Sequence, residues 1–206
     1  AKRMGAARFD RSNSISLDNA GNVYITGYFL LTVDFDPGVA VLNLTSDGGE
    51  DMFIVKLNNN GNLVWVKQMS GLLFEGGYSI AVSATGNVYT SGIFLGTSDF
   101  DPSSSVYELI STGLSDAFVC KLDAEGNFKW AKRMGGNGYM RSLGMSIDAA
   151  ENVYTTGFFD KTVDFDPGPL EFNLTSNGDD DLFISRLDSN GNHGWTKQIG
   201  GTSYDA

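Results

Sequence analysis

The sequence predicts an all-β fold of repeated four-stranded antiparallel units, and three observations carry that reading. A set of residues recurs at a constant step of 65. Each copy holds two pairs of β-rich runs joined by Gly/Asn turns. No stretch shows a helical period of useful length.

The repeat keeps strict register. GNVY begins at Gly21 and Gly86, and its counterpart ENVY at Glu151. DFDP begins at Asp34, Asp99 and Asp164. Trp65, Trp130 and Trp195 keep the same step, as do Gly61, Gly126 and Gly191.

The first hairpin of a copy runs from SISLD (Ser14–Asp18) through a tight turn to VYITGYF (Val23–Phe29). Glycine supplies the positive φ that the turn requires. The third copy has Glu151 at that place, so its turn should be strained or different, at a cost of about 1 kcal/mol.

The second hairpin joins DMFIVKLN (Asp51–Asn58) to NLVWVKQM (Asn62–Met69). Phe53, Val55 and Leu57 share one face of its first strand, and Met52 and Ile54 share the other. Both faces are apolar, which fits a stack of covered sheets. Four such strands, repeated head to tail, make the blade of a β-propeller. A β-solenoid competes, but its repeats are shorter and lack the two-hairpin rhythm.

Between the hairpins lies LLTVDFDPGVAVLNLTSDGGE. Val33 and Phe35 point one way and Asp34 and Asp36 the other. VLNLT (Val41–Thr45) can pair back as a further small hairpin. The chain thus reads as blade repeats at 9–73, 74–138 and 139–203, with the end of a preceding blade at 1–8 and the start of a next at 204–206. AKRMG at Ala1–Gly5 matches Ala131–Gly135, so the chain opens in mid-strand. Propellers use four to eight blades or more. Three blades imply either a segment of a longer chain or copies that associate into a ring or an open assembly.

Composition narrows the function. The 206 residues carry a formal net charge of −11, with 25 acidic against 14 basic residues. That opposes nucleic-acid binding, which needs a basic face, and gives a poor surface for anionic lipid. No apolar run is long enough for a membrane span, and no signal peptide is visible. Cys120 is the single cysteine, which excludes intramolecular disulfides and thiolate zinc sites.

GNVYITGYF, DMFIVKLNNNGNLVWVKQM and the inserted TVDFDPG together resemble the bacterial SBBP-type β-propeller repeat, over essentially the whole chain. The resemblance implies a propeller scaffold without an assigned activity and offers no catalytic residues to carry over. The DFDPG form is similar to variants in large secreted or cell-surface proteins.

Of the candidate sites, the acid pairs come first. Asp34/Asp36, Asp99/Asp101 and Asp164/Asp166 each put two carboxylates on one side of an extended piece, a candidate calcium site with help from Thr32 and backbone carbonyls. The competing reading is a turn. Asp36-Pro37-Gly38 suits type II and Asp101-Pro102-Ser103 suits type I, which explains the second acid of each pair better than the first. Asp51, Asp116 and Asp181 open the third core strand and should accept N–H bonds from the preceding loop. Trp65, Trp130 and Trp195, with Lys67, Lys132 and Lys197, should pack between blades.

His193 has no second histidine to act with, and Cys120 should be a small buried residue. Asn43 and Asn173 fit the glycosylation sequon, which Glu108 breaks in the second copy. The departures Glu151, Cys120, His193 and Pro102–Ser105 do not assemble into a catalytic site. The expected function is therefore a non-enzymatic scaffold, adhesion or assembly module of a secreted or cell-surface protein. A propeller binding a glycan or peptide and part of a propeller enzyme are the alternatives.

Overall fold

The computed structural model describes residues 10–203 and Asp205. The remnant expected at 1–8, and that at 204–206 apart from Asp205, lie outside the described residues. Strands follow one another without a helix among the described residues. The first copy gives β1 (Asp10–Leu17), β2 (Val23–Phe29), β3 (Thr32–Asp34), β4 (Asn43–Thr45), β5 (Asp51–Leu57) and β6 (Leu63–Gly71). The second gives β7 (Glu75–Val82), β8 (Val88–Phe94), β9 (Thr97–Asp99), β10 (Glu108–Ile110), β11 (Asp116–Leu122) and β12 (Phe128–Gly136). The third gives β13 (Met140–Ile147), β14 (Val153–Phe159), β15 (Thr162–Asp164), β16 (Asn173–Thr175), β17 (Asp181–Leu187) and β18 (His193–Ile199).

Each copy forms one four-stranded antiparallel blade, in the order β1-β2-β5-β6 and its equivalents. The first strand starts four residues before the SISLD run, because a bulge between Ser12 and Ser14 lets Asp10–Ser12 go on pairing with β2. The same bulge recurs at Gly77/Ser79 and Ser142/Gly144. It brings the inner strands together: the Ile80 amide donates to Ser14 Oγ at 3.3 Å and the Met145 amide to Ser79 Oγ at 3.1 Å. The strands β1, β7 and β13 thus line the inner side of a three-blade arc.

The small inserted hairpin forms, but β9–β10 and β15–β16 join the blade before their own. β9 pairs with the end of β6, with Ser70 opposite Asp99 and Gly71 opposite Ser98. β15 pairs likewise with β12, with Gly135 opposite Asp164 and Gly136 opposite Val163. The last strand of a blade is an edge with unpaired backbone groups, and the next blade's insert covers part of it.

The cores lie between blades. Tyr24, Met52, Ile54 and Met69 of the first blade pack against Ile80, Phe94, Phe100, Phe118 and Cys120 of the second. Tyr89, Ala117, Val119 and Met134 of the second pack against Met140, Phe159, Phe165 and Phe183 of the third. This is the two-faced burial that the alternation along Asp51–Leu57 requires.

Candidate functional site

The DFDP segments show what both acids do. Asp34 Oδ1 accepts the amides of Asp36 at 3.0 Å and Leu42 at 2.9 Å. Asp99 does the same for Asp101 and Tyr107, at 3.0 and 2.8 Å. Asp164 repeats it for Asp166 and Phe172, at 2.9 and 2.8 Å. The first acid therefore ties both ends of the insert loop. Asp36, Asp101 and Asp166 each accept the amide two residues on, at Gly38, Ser103 and Gly168, which is the Asx turn before proline.

The intervening Phe35, Phe100 and Phe165 are buried. Each makes a tilted contact with the core phenylalanine Phe53, Phe118 or Phe183, at centroid distances of 5.0, 4.8 and 5.2 Å. Asp99 and Asp101 line a groove with Lys67 and Gln68, and Asp164 and Asp166 one with Lys132 and Arg133. Among the described residues no group of three or more His, Cys, Asp or Glu is placed to hold a metal ion.

Asp51, Asp116 and Asp181 are fully buried at the start of their strands. They accept the loop amides of Asp47, Thr112 and Asn177, at 3.1, 3.0 and 3.0 Å. Their side-chain partners differ. Gln68 serves Asp51 at 2.6 Å, Arg133 forms an ion pair with Asp116 at 2.6 Å, and Gln198 serves Asp181. Beside Asp51 stands Glu75, also fully buried and bound by Ser98 Oγ at 2.6 Å. Burial pushes Asp51 up to about 6, helped by the charge of Asp47, and pushes Glu75 up to about 8, helped by the charge of Asp51. The interaction between the two carboxyls raises Glu75 further and lowers Asp51, so Glu75 is the one that holds its proton more tightly. Met140 takes the place of Glu75 in the next copy, where Arg133 supplies the charge instead.

Trp65 and Trp130 sit in the seams. Their indole N–H groups donate to the carbonyls of Ala124 at 3.3 Å and Ser189 at 3.2 Å in the next blade. Lys56 and Lys121 donate to the same carbonyls, at 3.1 and 3.4 Å, and lie over the rings of Tyr24 and Tyr89. Gly126 and Gly191 lie against Trp65/Lys67 and Trp130/Lys132, where an added Cβ would come within 2.6 and 2.7 Å of the lysine side chains. Trp195 has the same edge contact with its own tyrosine, Tyr154, but faces outward and is exposed.

Glu151 is the departure with a visible purpose. It adopts the expected positive φ, 61°. In the first and third blades the turn acid, Asp18 or Asp148, accepts both the Asn side chain and the Tyr hydroxyl of its own hairpin. The second blade has Ser83 at that place. Glu151 reaches back from the third blade to replace the missing carboxylate, accepting from Asn87 Nδ2 at 3.0 Å, Tyr89 at 2.6 Å, Thr85 at 2.6 Å and Lys121 at 3.0 Å. Against the opposing pull of burial, these bonds hold Glu151 well below the usual carboxylate range.

The remaining candidates are structural in their contacts. Burial raises the Cys120 thiol, leaving it a poor nucleophile. His193 Nε2 is 3.0 Å from Thr196 Oγ1, and its ring packs on Phe172. Asn43 and Asn173 are exposed on β4 and β16. One cluster escaped the sequence reading: Tyr139, Asp160 and Asp180 line a groove in the third blade, and the Tyr139 hydroxyl donates to buried Asp180 at 2.5 Å. Leu30 and Leu95 stand where Asp160 does, which was its signal.

No protein-family model matches the chain. An uncharacterized WD repeat-containing protein of Acanthamoeba polyphaga mimivirus is 23% identical over 226 residues, covering 97% of this chain and 16% of that protein. The chain thus spans less than a fifth of that relative's length. A solved structure of a protein of unknown function from Bacteroides caccae aligns with 93% of this chain and 85% of its own, at 11% identity and a TM-score of 0.30. The chain is an all-β protein of repeated, β-propeller-like four-stranded units.

Proposed function

We propose that the chain is a non-catalytic propeller scaffold, an assembly or adhesion module of a secreted or cell-surface bacterial protein. One observation carries the reading: the polar residues repeating at the 65-residue step are used up in holding backbone or the neighbouring blade. The resemblance to SBBP-type repeats supports the secreted or surface setting, and the net charge of −11 suits a self-repelling soluble surface. Incubation with chromogenic ester, glycoside and phosphate substrates should give no turnover above buffer. Turnover abolished by Asp180→Asn or Glu151→Gln would overturn the reading.

A binding role has one observation in its favour, the groove at Tyr139, Asp160 and Asp180, where Asp180 Oδ2 is buried without a hydrogen-bond partner among the described residues. A glycan or peptide array, repeated with Tyr139→Phe, tests it: binding lost in that variant supports it and a blank array removes it.

A further inference from the structure

We propose that the inner side of the arc holds a binding site for a small carboxylate carried on a ring, formed by Arg11, Tyr28, Tyr78 and Arg141. The proposal adds a ligand to the scaffold and does not rest on that reading.

The site starts from one position of the repeat. Arg11 and Arg141 occupy equivalent places on the inner strands β1 and β13, and Gly76 occupies that place on β7 between them. A Cβ at Gly76 would come within 2.8 Å of the Phe74 ring and 3.3 Å of the Tyr78 ring. The middle strand therefore gives up its own side chain there, and two aromatic rings take the space. Tyr78 is the extra residue of the β7 bulge, left out of the ladder between Gly77 and Ser79. Its hydroxyl feels the Tyr28 hydroxyl and both guanidiniums. Burial and Tyr28 raise that phenol, and Arg141 and Arg11 pull the other way.

Aromatic rings carry the arginines. Tyr28 stands directly opposite Arg11 in the β1–β2 ladder, and Phe158 directly opposite Arg141 in the β13–β14 ladder. Each ring thus shares a sheet face with its arginine. The Arg141 guanidinium lies 5.9 Å from the ring centroids of both Phe158 and Tyr139. Phe74 meets Tyr28 edge to face at 5.2 Å.

Charge says what such a site takes. Acids outnumber bases 25 to 14 in the chain. Yet among the described residues the side chains of Arg11 and Arg141 make no ion pair or hydrogen bond. The hydroxyls of Tyr28 and Tyr78 likewise have no hydrogen-bond partner among them. A guanidinium fork matches the two oxygens of a carboxylate, and phenols can donate to the same group. Rings beside a few convergent polar groups suit a ligand with a ring body. The net charge of −11 repels a long polyanion, which selects a single carboxylate over an acidic polymer.

The exposure of Arg11 does not depend on what stands beyond the first blade. Arg11, Tyr28, Met52 and Met69 form one cross-strand row, on the face that packs against the second blade. Arg11 stays exposed with that blade seated beside it. Arg141 holds the same place in the third blade.

Saturation-transfer NMR and calorimetric titration of the intact chain should show glucuronate or benzoate binding at about millimolar affinity. The neutral partners glucose and benzyl alcohol should bind at least about tenfold more weakly. Arg11→Gln and Arg141→Gln should each weaken the acid by at least about tenfold, and Arg11→Lys, which keeps the charge and loses the fork, should recover only part of it. Lys129→Gln, at an exposed lysine paired with Asp123 on the outer hairpin, should change nothing. Circular dichroism of each variant checks the fold. Binding of glucuronate alone or of benzoate alone upholds the site and names the ring body. No binding of either acid, equal binding of the neutral partners, or binding indifferent to both arginine variants would overturn the proposal. None of these results touches the scaffold reading, which fails by turnover.

Discussion

The Tyr89 hydroxyl donates a 2.6 Å hydrogen bond to the carboxylate of Glu151, a residue of the next blade standing in a left-handed turn. The strain of that turn, about 1 kcal/mol, is offset by charge-assisted bonds from Tyr89, Lys121, Asn87 and Thr85. Glu151→Ala keeps the strain and loses the bonds, so it should destabilise the fold by about 1–3 kcal/mol. Because the carboxyl is held below its ordinary value of 4.5, its contribution is present above that pH and disappears as pH falls through the lower folded value. Chemical denaturation from neutral to acid pH should show the gap between wild type and Glu151→Ala narrowing in acid.

Asp51 and Glu75 give the opposite slope. Both are raised, from 3.8 to about 6 and from 4.5 to about 8, chiefly by burial, with the charge of Asp47 adding to the rise of Asp51 and that of Asp51 to the rise of Glu75. The folded state therefore binds a proton that the unfolded state has released. This seam is most stable below the ordinary carboxylate values and weakens as pH rises through about 6 and about 8. Glu75→Gln, which keeps a hydrogen-bonding group beside Asp51 and Ser98, should flatten that decline. Melting temperature measured from acid to mildly alkaline pH checks it; parallel curves would contradict it.

Asp99 is placed to cap two amides, those of Asp101 and Tyr107. Asp99→Ala should cost about 1–3 kcal/mol through two orphaned donors. Asp99→Asn, whose carbonyl can accept the same bonds, should cost much less. Both losses should be equal with millimolar calcium and with a chelator. A severe asparagine variant whose wild-type parent gains stability from calcium would instead make the acid a metal ligand.

Leu31 and Lys161 have φ of 66° and 56°, where the second copy has Gly96 at 69°. Leu31→Gly and Lys161→Gly should each raise stability by up to about 1 kcal/mol, since both side chains are exposed and the left-handed strain is relieved. Urea midpoints compared with wild type read this directly.

The blade was legible because period-two alternation along Asp51–Leu57 and glycine-bearing turns are local signals. The strain at Glu151 was legible for the same reason: its counterparts Gly21 and Gly86 state the φ the turn needs. What escaped were relations between copies. The role of Asp34 depends on Leu42, eight residues away across a loop. The destination of the insert depends on the preceding blade's edge strand. The link from Ser83 to Glu151 is visible only once the seam places a third-blade side chain on a second-blade tyrosine. Gly96 was a signal for Leu31 and Lys161, but no neighbouring turn motif marks that position.

The central claim is that the polar residues of the repeat hold blades to one another. A double-mutant cycle on Tyr89→Phe and Glu151→Ala, read by denaturant unfolding, tests it across a single seam. The account predicts a coupling of about 1–2 kcal/mol, well beyond the additivity of independent sites. Additive losses, with no coupling between the two residues, would contradict it.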